Sequence, residues 1–174
     1  MTAESSDRDW SHQLFSLFLE QEAFLFAHIP DAGNAKLVRL IEKHPKTRAV
    51  LLTTEEEGIA LCAGADLVGR RAVLLTQSSG VGNCGNFFSL IRGARFPILM
   101  MISMRGEHGE NNPWQYAMGQ ATPQFLDAMG ILTFVVRKAD ELESMARAAM
   151  AAAFKGGHGA ALVLSQQFLG AKTM

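Results

Sequence analysis

Cysteine is scarce in this chain: Cys62 and Cys84 are the only two among 174 residues. Neither stands in a C-x-x-C or other metal-ligand spacing, which excludes a disulfide framework and a cysteine-based metal site. Free thiols in a reducing compartment are the expectation. An excess of either charge is also missing, with 16 Lys and Arg against 17 Asp and Glu and a formal charge of -1. No basic stripe with interleaved aromatics occurs, so nucleic acid is not an expected partner. Long apolar runs are absent too. Residues 14–29 come nearest, but Glu20, Gln21, Glu22 and His28 interrupt them and exclude a membrane span. The start, MTAESSDRDW, is polar and acidic and has no apolar signal core. A soluble cytoplasmic protein is expected. Linkers, low-complexity stretches and internal repeats are lacking, so residues 1–174 read as one domain.

Apolar residues make up 48% and charged residues 19%, the balance of a globular chain with a sizeable core. Helix-like and strand-like segments alternate along it. Residues 10–28 show apolar spacing of a helix that Pro30 ends, and 35–43 read as a second, short helix. Continuous apolar runs at 49–52 (AVLL), 72–76 (AVLLT), 98–102 (ILMMI), 132–136 (LTFVV) and 161–164 (ALVL) read as buried strands. Helices are expected at 55–68, from the glycine loop to 91, near 123–129 and at 140–154, with a polar loop over 103–120. Short apolar strands separated by helices predict an α/β fold, three layers with a mainly parallel sheet. Sites in such folds lie at the carboxyl ends of strands. Here those ends read Thr53-Thr54, Gln77-Ser78 and Ser103 to Arg105.

After the second of these runs comes SSGVGNCGN, in which Gly80, Gly82 and Gly85 form G-x-G-x-x-G. A dinucleotide site needs a strand, these glycines, a helix and an acid ending the next strand. The acid is missing, because Ser103, Met104 and Arg105 stand there. Arg105 facing an extra phosphate keeps an NADP-binding module open. The plainer reading is a tight turn that needs glycine for steric reasons. No Walker A pattern exists. Further upstream, TTEEEGIALCAGADLVG opens with Thr54 and, three residues on, Glu57, a capping box. Acids suit the first turn of a helix, which accounts for Glu57 and Glu56. Gly58 and Gly64 each cost such a helix about 1 kcal/mol against Ala, so a close approach to it is expected.

Taken together, EEEGIALCAGADLVGRRAVLLTQSSGVGN, ISMRGE and PWQYAMGQATPQFLDAMGI resemble the alpha subunit of sulfopyruvate decarboxylase and the matching half of phosphonopyruvate decarboxylase. Both belong to the thiamine-diphosphate-dependent 2-oxo acid decarboxylases. The resemblance runs from IPDAGN to the last strand and implies that family's pyrimidine-binding domain fold. It implies that one glutamate of this half meets N1′ of the cofactor's aminopyrimidine, and that the cofactor holds the electrons as carbon dioxide leaves. Alignment on Ala63-Gly64 places that glutamate at Glu55, with Glu56 the alternative.

QSSGVGN then lies against the cofactor rings, with Gln77, Ser78, Ser79, Gly80, Gly82 and Asn83 as its contacts. In the family the diphosphate and Mg²⁺ are held by a G-D-G motif and a downstream Asn, which this chain lacks. The resemblance therefore implies a partner beta subunit that carries them, and a hetero-oligomer. His28, Asp31, Asn34, Arg105 and Gln115 are the substrate candidates. Arg105 is suited to a carboxylate, sulfonate or phosphonate. Ala32 replaces the family's Ser or Asp, and Trp114 and Ala117 also depart from its pattern, so the exact substrate stays open. Sulfopyruvate or a related 3-substituted pyruvate leads. A carboligase or lyase of the same cofactor class and a non-catalytic regulatory subunit are the alternatives.

Overall fold

The computed structural model describes residues 10–170. Six strands form one parallel sheet: β1 (Ala23–His28), β2 (Arg48–Leu51), β3 (Arg71–Gln77), β4 (Ile98–Ser103), β5 (Leu132–Val136) and β6 (Gly159–Leu164), in the order β2-β1-β3-β4-β6-β5. Helices precede, separate and follow them: α1 (Trp10–Glu20), α2 (Ala35–Lys43), α3 (Glu55–Leu67), α4 (Ser78–Asn83), α5 (Phe88–Ala94), α6 (Trp114–Ala128), α7 (Leu142–Phe154) and the short α8 (Gln166–Leu169). Among the described residues no helix is long and apolar enough to cross a membrane.

Successive residues of a strand point to opposite faces, and the core divides accordingly. Val73, Leu75, Leu99 and Met101 pack under Leu14 and Phe18 of α1, Leu37 and Ile41 of α2, and Ala149 of α7. Leu74, Met100 and Ile102 face Ile59 and Cys62 of α3, Val81 of α4, Phe88 of α5 and Leu126 of α6. With both faces covered, β3, β4 and β6 tolerate the near-unbroken apolar runs that mark them. The expected three-layer α/β architecture is the one observed.

Three expectations need correction. Residues 10–28 are not one helix: α1 ends at Glu20, Gln21 and Glu22 turn the chain with Glu22 at φ +53, and AFLFAH becomes β1. This sixth strand is central to the sheet, paired with both β2 and β3. An uninterrupted apolar run does not distinguish a buried helix from a buried strand by period alone. The segment after the glycine loop divides into α4 and α5, because Cys84 ends α4 and a turn over 84–87 intervenes. Finally, α6 begins at Trp114, well before residue 123, and carries Pro123 inside it. Pro123 gives up one backbone bond there, while buried Gly119, Thr122 and Leu126 hold the helix to the domain.

The connection leaving β1 reaches β2 on one side, through α2 on the first face. The connection leaving β3 reaches β4 on the other side, through α4 and α5 on the second face. The chain thus parts between β1 and β3, and that topological switch opens a crevice at the carboxyl ends of the strands.

Candidate active site

Gln77, the last residue of β3, faces that crevice next to its register partner Ser103 of β4. Asp31, just beyond β1, joins them. Its Oδ1 accepts from Gln77 Nε2 at 3.0 Å and its Oδ2 from the Ser103 hydroxyl at 2.6 Å. Gln77 Oε1 in turn accepts from the Ser79 hydroxyl at 3.0 Å and from Gln115 Nε2 at 3.1 Å. An ionised carboxylate only accepts hydrogen bonds, so Asp31 sets the sense of the Gln77 amide, and Gln77 sets that of Gln115. Gln115 Oε1 is left buried and without a partner among the described residues.

Glu55 opens α3 at the same rim, where the helix dipole favours a carboxylate. Its Oε2 accepts from Asn83 Nδ2 at 2.7 Å. Oε1 has no hydrogen-bond partner among the described residues. Gly80 lies beneath this carboxylate, and a Cβ there would overlap both Glu55 and the Thr76 hydroxyl. The neighbouring acids behave differently. Glu57 does reach back, but to the Thr53 N–H at 2.9 Å, and Thr54 provides no side-chain cap. The capping box is therefore not formed as expected; the glutamate half has moved one residue back along the chain. Glu56 keeps one buried oxygen unpaired among the described residues.

None of Gly80, Gly82 and Gly85 adopts a positive φ, so no left-handed turn demands them. Each is there for close approach: a Cβ at Gly80 would overlap Glu55, one at Gly82 would stand 3.2 Å from the Met118 thioether, and one at Gly85 would stand 3.1 Å from the Phe125 ring. Of the two glycines in α3, Gly58 is pressed by Leu52 and Leu74 of the domain itself, whereas Gly64 meets nothing within 4 Å. The close approach expected of this helix thus has an internal cause at Gly58.

Arg105 has one edge of its guanidinium already engaged. Its Nε and Nη2 both bond Glu110, each at 2.6 Å, in a bidentate pair. An outside anion, the extra phosphate of NADP included, would have only Nη1 to meet. Glu110 was not singled out by sequence, where an acid in a polar loop reads as solvated. It is nevertheless buried, with a side chain 2% exposed. It also accepts from the backbone N–H groups of Gly106, Asn111 and Asn112 and from Gln166 Nε2. Arg105 and these donors hold its carboxyl well below the usual carboxylate range, against the opposing effect of burial. Tyr116 donates to the Glu110 carbonyl, and Glu107 exchanges two bonds with Gln166. The loop after β4 is therefore pinned to α6 and α8.

The site unites Glu55, Asn83, Gly80, Gln77, Ser79, Gln115 and Asp31. Ser78 does not belong on its surface: it is fully buried, and its hydroxyl accepts from the Arg105 N–H at 3.0 Å, tying two loops together. His28 is a buried strand end whose ring has no hydrogen bond to the other candidates among the described residues. Asn34 is fully buried before α2, with both amide atoms unpaired among the described residues.

Set beside known proteins, this chain is 33% identical over 132 residues to a sulfopyruvate decarboxylase subunit alpha from Methanococcus maripaludis, covering 75% of this chain and 79% of that one. The subunit alpha from Methanocaldococcus jannaschii is 33% identical over 136 residues, covering 78% and 80%. The chain belongs to the sulfopyruvate decarboxylase alpha-subunit family. A phosphonopyruvate decarboxylase from Streptomyces viridochromogenes shares 36% identity over 103 residues, but the match spans only 26% of that longer protein. Alpha-subunit homology thus extends to one segment of a larger decarboxylase. No protein-family model matches the chain. A solved 2-oxoglutarate:ferredoxin oxidoreductase from Magnetococcus marinus superimposes with a TM-score of 0.70 over 92% of this chain and 29% of that one. At 13% identity that likeness concerns the fold.

Proposed function

We propose that this alpha-subunit homologue is the pyrimidine-binding half of a two-subunit, thiamine-diphosphate-dependent 2-oxo acid decarboxylase. Its substrate is sulfopyruvate or a related 3-substituted pyruvate, and a beta subunit supplies the diphosphate and Mg²⁺ site that this chain's missing G-D-G motif leaves to it. The observation that carries the reading is Glu55, with one oxygen held by Asn83 and the other without a hydrogen-bond partner among the described residues, at the switch point. The residues present fit the cofactor's aminopyrimidine. The carboxylate stands over a glycine whose Cβ would displace it.

When bound, the cofactor supplies the electron sink on which a 2-oxo acid loses carbon dioxide. This chain's part is to hold and orient. Glu55 Oε1 holds a proton against a ring nitrogen, and Asn83 fixes the carboxylate through Oε2 so that Oε1 points one way. Asp31, Gln77, Ser79 and Gln115 form a wall of fixed polarity beside it. A carboxylate positioned in this manner contributes about 10²–10⁴-fold as a proton-transfer group.

The test is Glu55→Gln in the complex with the partner chain, thiamine diphosphate and Mg²⁺. An amide keeps the shape and the Asn83 bond but cannot share the proton. Carbon dioxide release from sulfopyruvate should fall by about 10²–10⁴-fold, with the thermal midpoint moved by only a few degrees. Retained activity in that variant removes Glu55 from the role. A wild-type complex that binds the cofactor yet releases carbon dioxide from no 2-oxo acid removes the decarboxylase reading.

A further inference from the structure

A second cavity, of about 440 Å³, opens behind the Asp31 wall, between α2 and the start of the loop after β4. Lys36 and Arg39 of α2 line it together with Arg105, and Asp31 and Ser103 form its boundary with the crevice. Lys36 and Arg39 are three residues apart and so share one face of α2. Arg39 is exposed and makes no hydrogen bond or ion pair among the described residues.

Arg105 is only 13% exposed, and the edge of its guanidinium carrying Nε and Nη2 faces Glu110. The group is planar, so Nη1 lies on the opposite edge, and it has no partner among the described residues. The first turn of α2 adds positive potential, since it contains no acid and Asn34 gives no side-chain cap. Asp31 is the acid in the lining, and its two oxygens accept from Gln77 and Ser103.

We propose that this cavity receives the second acid group of the substrate, the sulfonate or phosphonate on C3. The inference rests on the decarboxylase reading above and names the part of the chain that selects the substrate's tail. A cation held against the departing carboxylate would stabilise the ground state and lose its partner as carbon dioxide forms. A cation held against a group that keeps its charge throughout lowers the energy of ground state and transition state alike and gives up nothing during the reaction. Fixed cations therefore belong at the tail. They sit one wall away from Glu55, joined to its crevice through Asp31 and Ser103. Arg39 and Arg105 are assigned here as specificity-determining residues, and the Arg105–Glu110 pair holds Arg105 in place.

The experiment uses the complex of this chain with its partner and two probes, sulfoacetate and acetate. Sulfoacetate has the sulfonate and a carboxylate; acetate lacks the sulfonate. Calorimetry should show sulfoacetate binding to the wild type and a loss of roughly tenfold in Arg39→Gln, largely restored in Arg39→Lys. Acetate binding should be equally weak in all three. In turnover, Arg39→Gln should raise KM for sulfopyruvate by a similar factor with little change in kcat. Because Arg39 is exposed, folding does not confound the variant. Equal sulfoacetate binding in wild type and Arg39→Gln overturns the proposal, as does absence of sulfoacetate binding to the wild type. Sulfoacetate binding that depends on Arg39 in a complex that decarboxylates nothing supports the cavity while removing the decarboxylase reading.

Discussion

Replacing Gly80 with alanine separates the stability of this fold from the placement of its carboxylate. The added Cβ would fall 2.5 Å from Glu55 Cγ and 2.5 Å from the Thr76 hydroxyl. Carbon atoms in ordinary contact stand about 3.5–4.0 Å apart, so both contacts have to open by up to about 1 Å. Thr76 sits on a buried central strand and can give only by turning its hydroxyl, whereas Glu55 is half-buried at a helix end and can move as a whole side chain. Glu55 therefore moves, and its 2.7 Å hydrogen bond to Asn83 breaks first. Overpacking costs about 1–3 kcal/mol, and alanine in place of glycine within α4 offsets up to about 1 kcal/mol of that. The net loss is about 0–3 kcal/mol, a fall in Tm of roughly 0–12 °C for a domain of this size. Misplacement of a reacting group by about 1 Å costs about 10²-fold in rate. The assay pairs a thermal melt with carbon dioxide release by the complex. A Gly80→Ala variant with full activity would refute the placement of Glu55 over this glycine. One that fails to fold would refute the argument that the carboxylate, not the strand, yields.

Two further outcomes follow from buried groups. Glu110→Ala leaves Arg105 without its partner, at about 3–5 kcal/mol, and should lower Tm by roughly 6–20 °C at neutral pH. Glu110 binds its proton only below the range of an unfolded glutamate. Its contribution is thus complete above about pH 4.3 and fades as pH falls below that value. Melts at pH 7 and pH 3 should show the gap between wild type and variant narrowing, and an equal gap at both would count against the buried pair. Burial, reinforced by the charges of Glu55 and Glu56, pushes the Cys84 thiol up to about 12, and burial alone pushes Cys62 up to about 12. Neither thiol should react with a disulfide reagent at pH 8 until urea unfolds the chain; rapid reaction of the native protein would contradict their burial.

Much of the sheet was legible because its strands are short, apolar and bounded by glycine and polar residues. The one that escaped, β1, is followed by a proline and preceded by a real helix, so its residues extended a pattern already under way. The glycine-rich stretch was readable as a close approach, though the atom approached at Gly80 is the chain's own Glu55. Glu55 was placed by the family resemblance aligned on Ala63-Gly64, and the local explanations of its neighbours pointed the same way, even though Glu57 caps Thr53 rather than Thr54. Glu110 was invisible for a physical reason. Its burial depends on donors from Arg105, from its own loop and from Gln166, 56 residues further along the chain, and no local pattern encodes that convergence. Ser78 carried the opposite error: a hydroxyl in a promising loop, spent on holding two backbone segments together.

The amide wall has a consequence beyond the residues it joins. Asp31 carries the charge, yet the groups it orients, Gln77 and Gln115, are neutral. Each passes on the direction of its own dipole, so the influence of one anion reaches Gln115 with no ion at that end. The crevice is thereby given an electrical direction by residues that cost less to desolvate than ions would. A ligand entering it meets an oriented medium before it meets a charge.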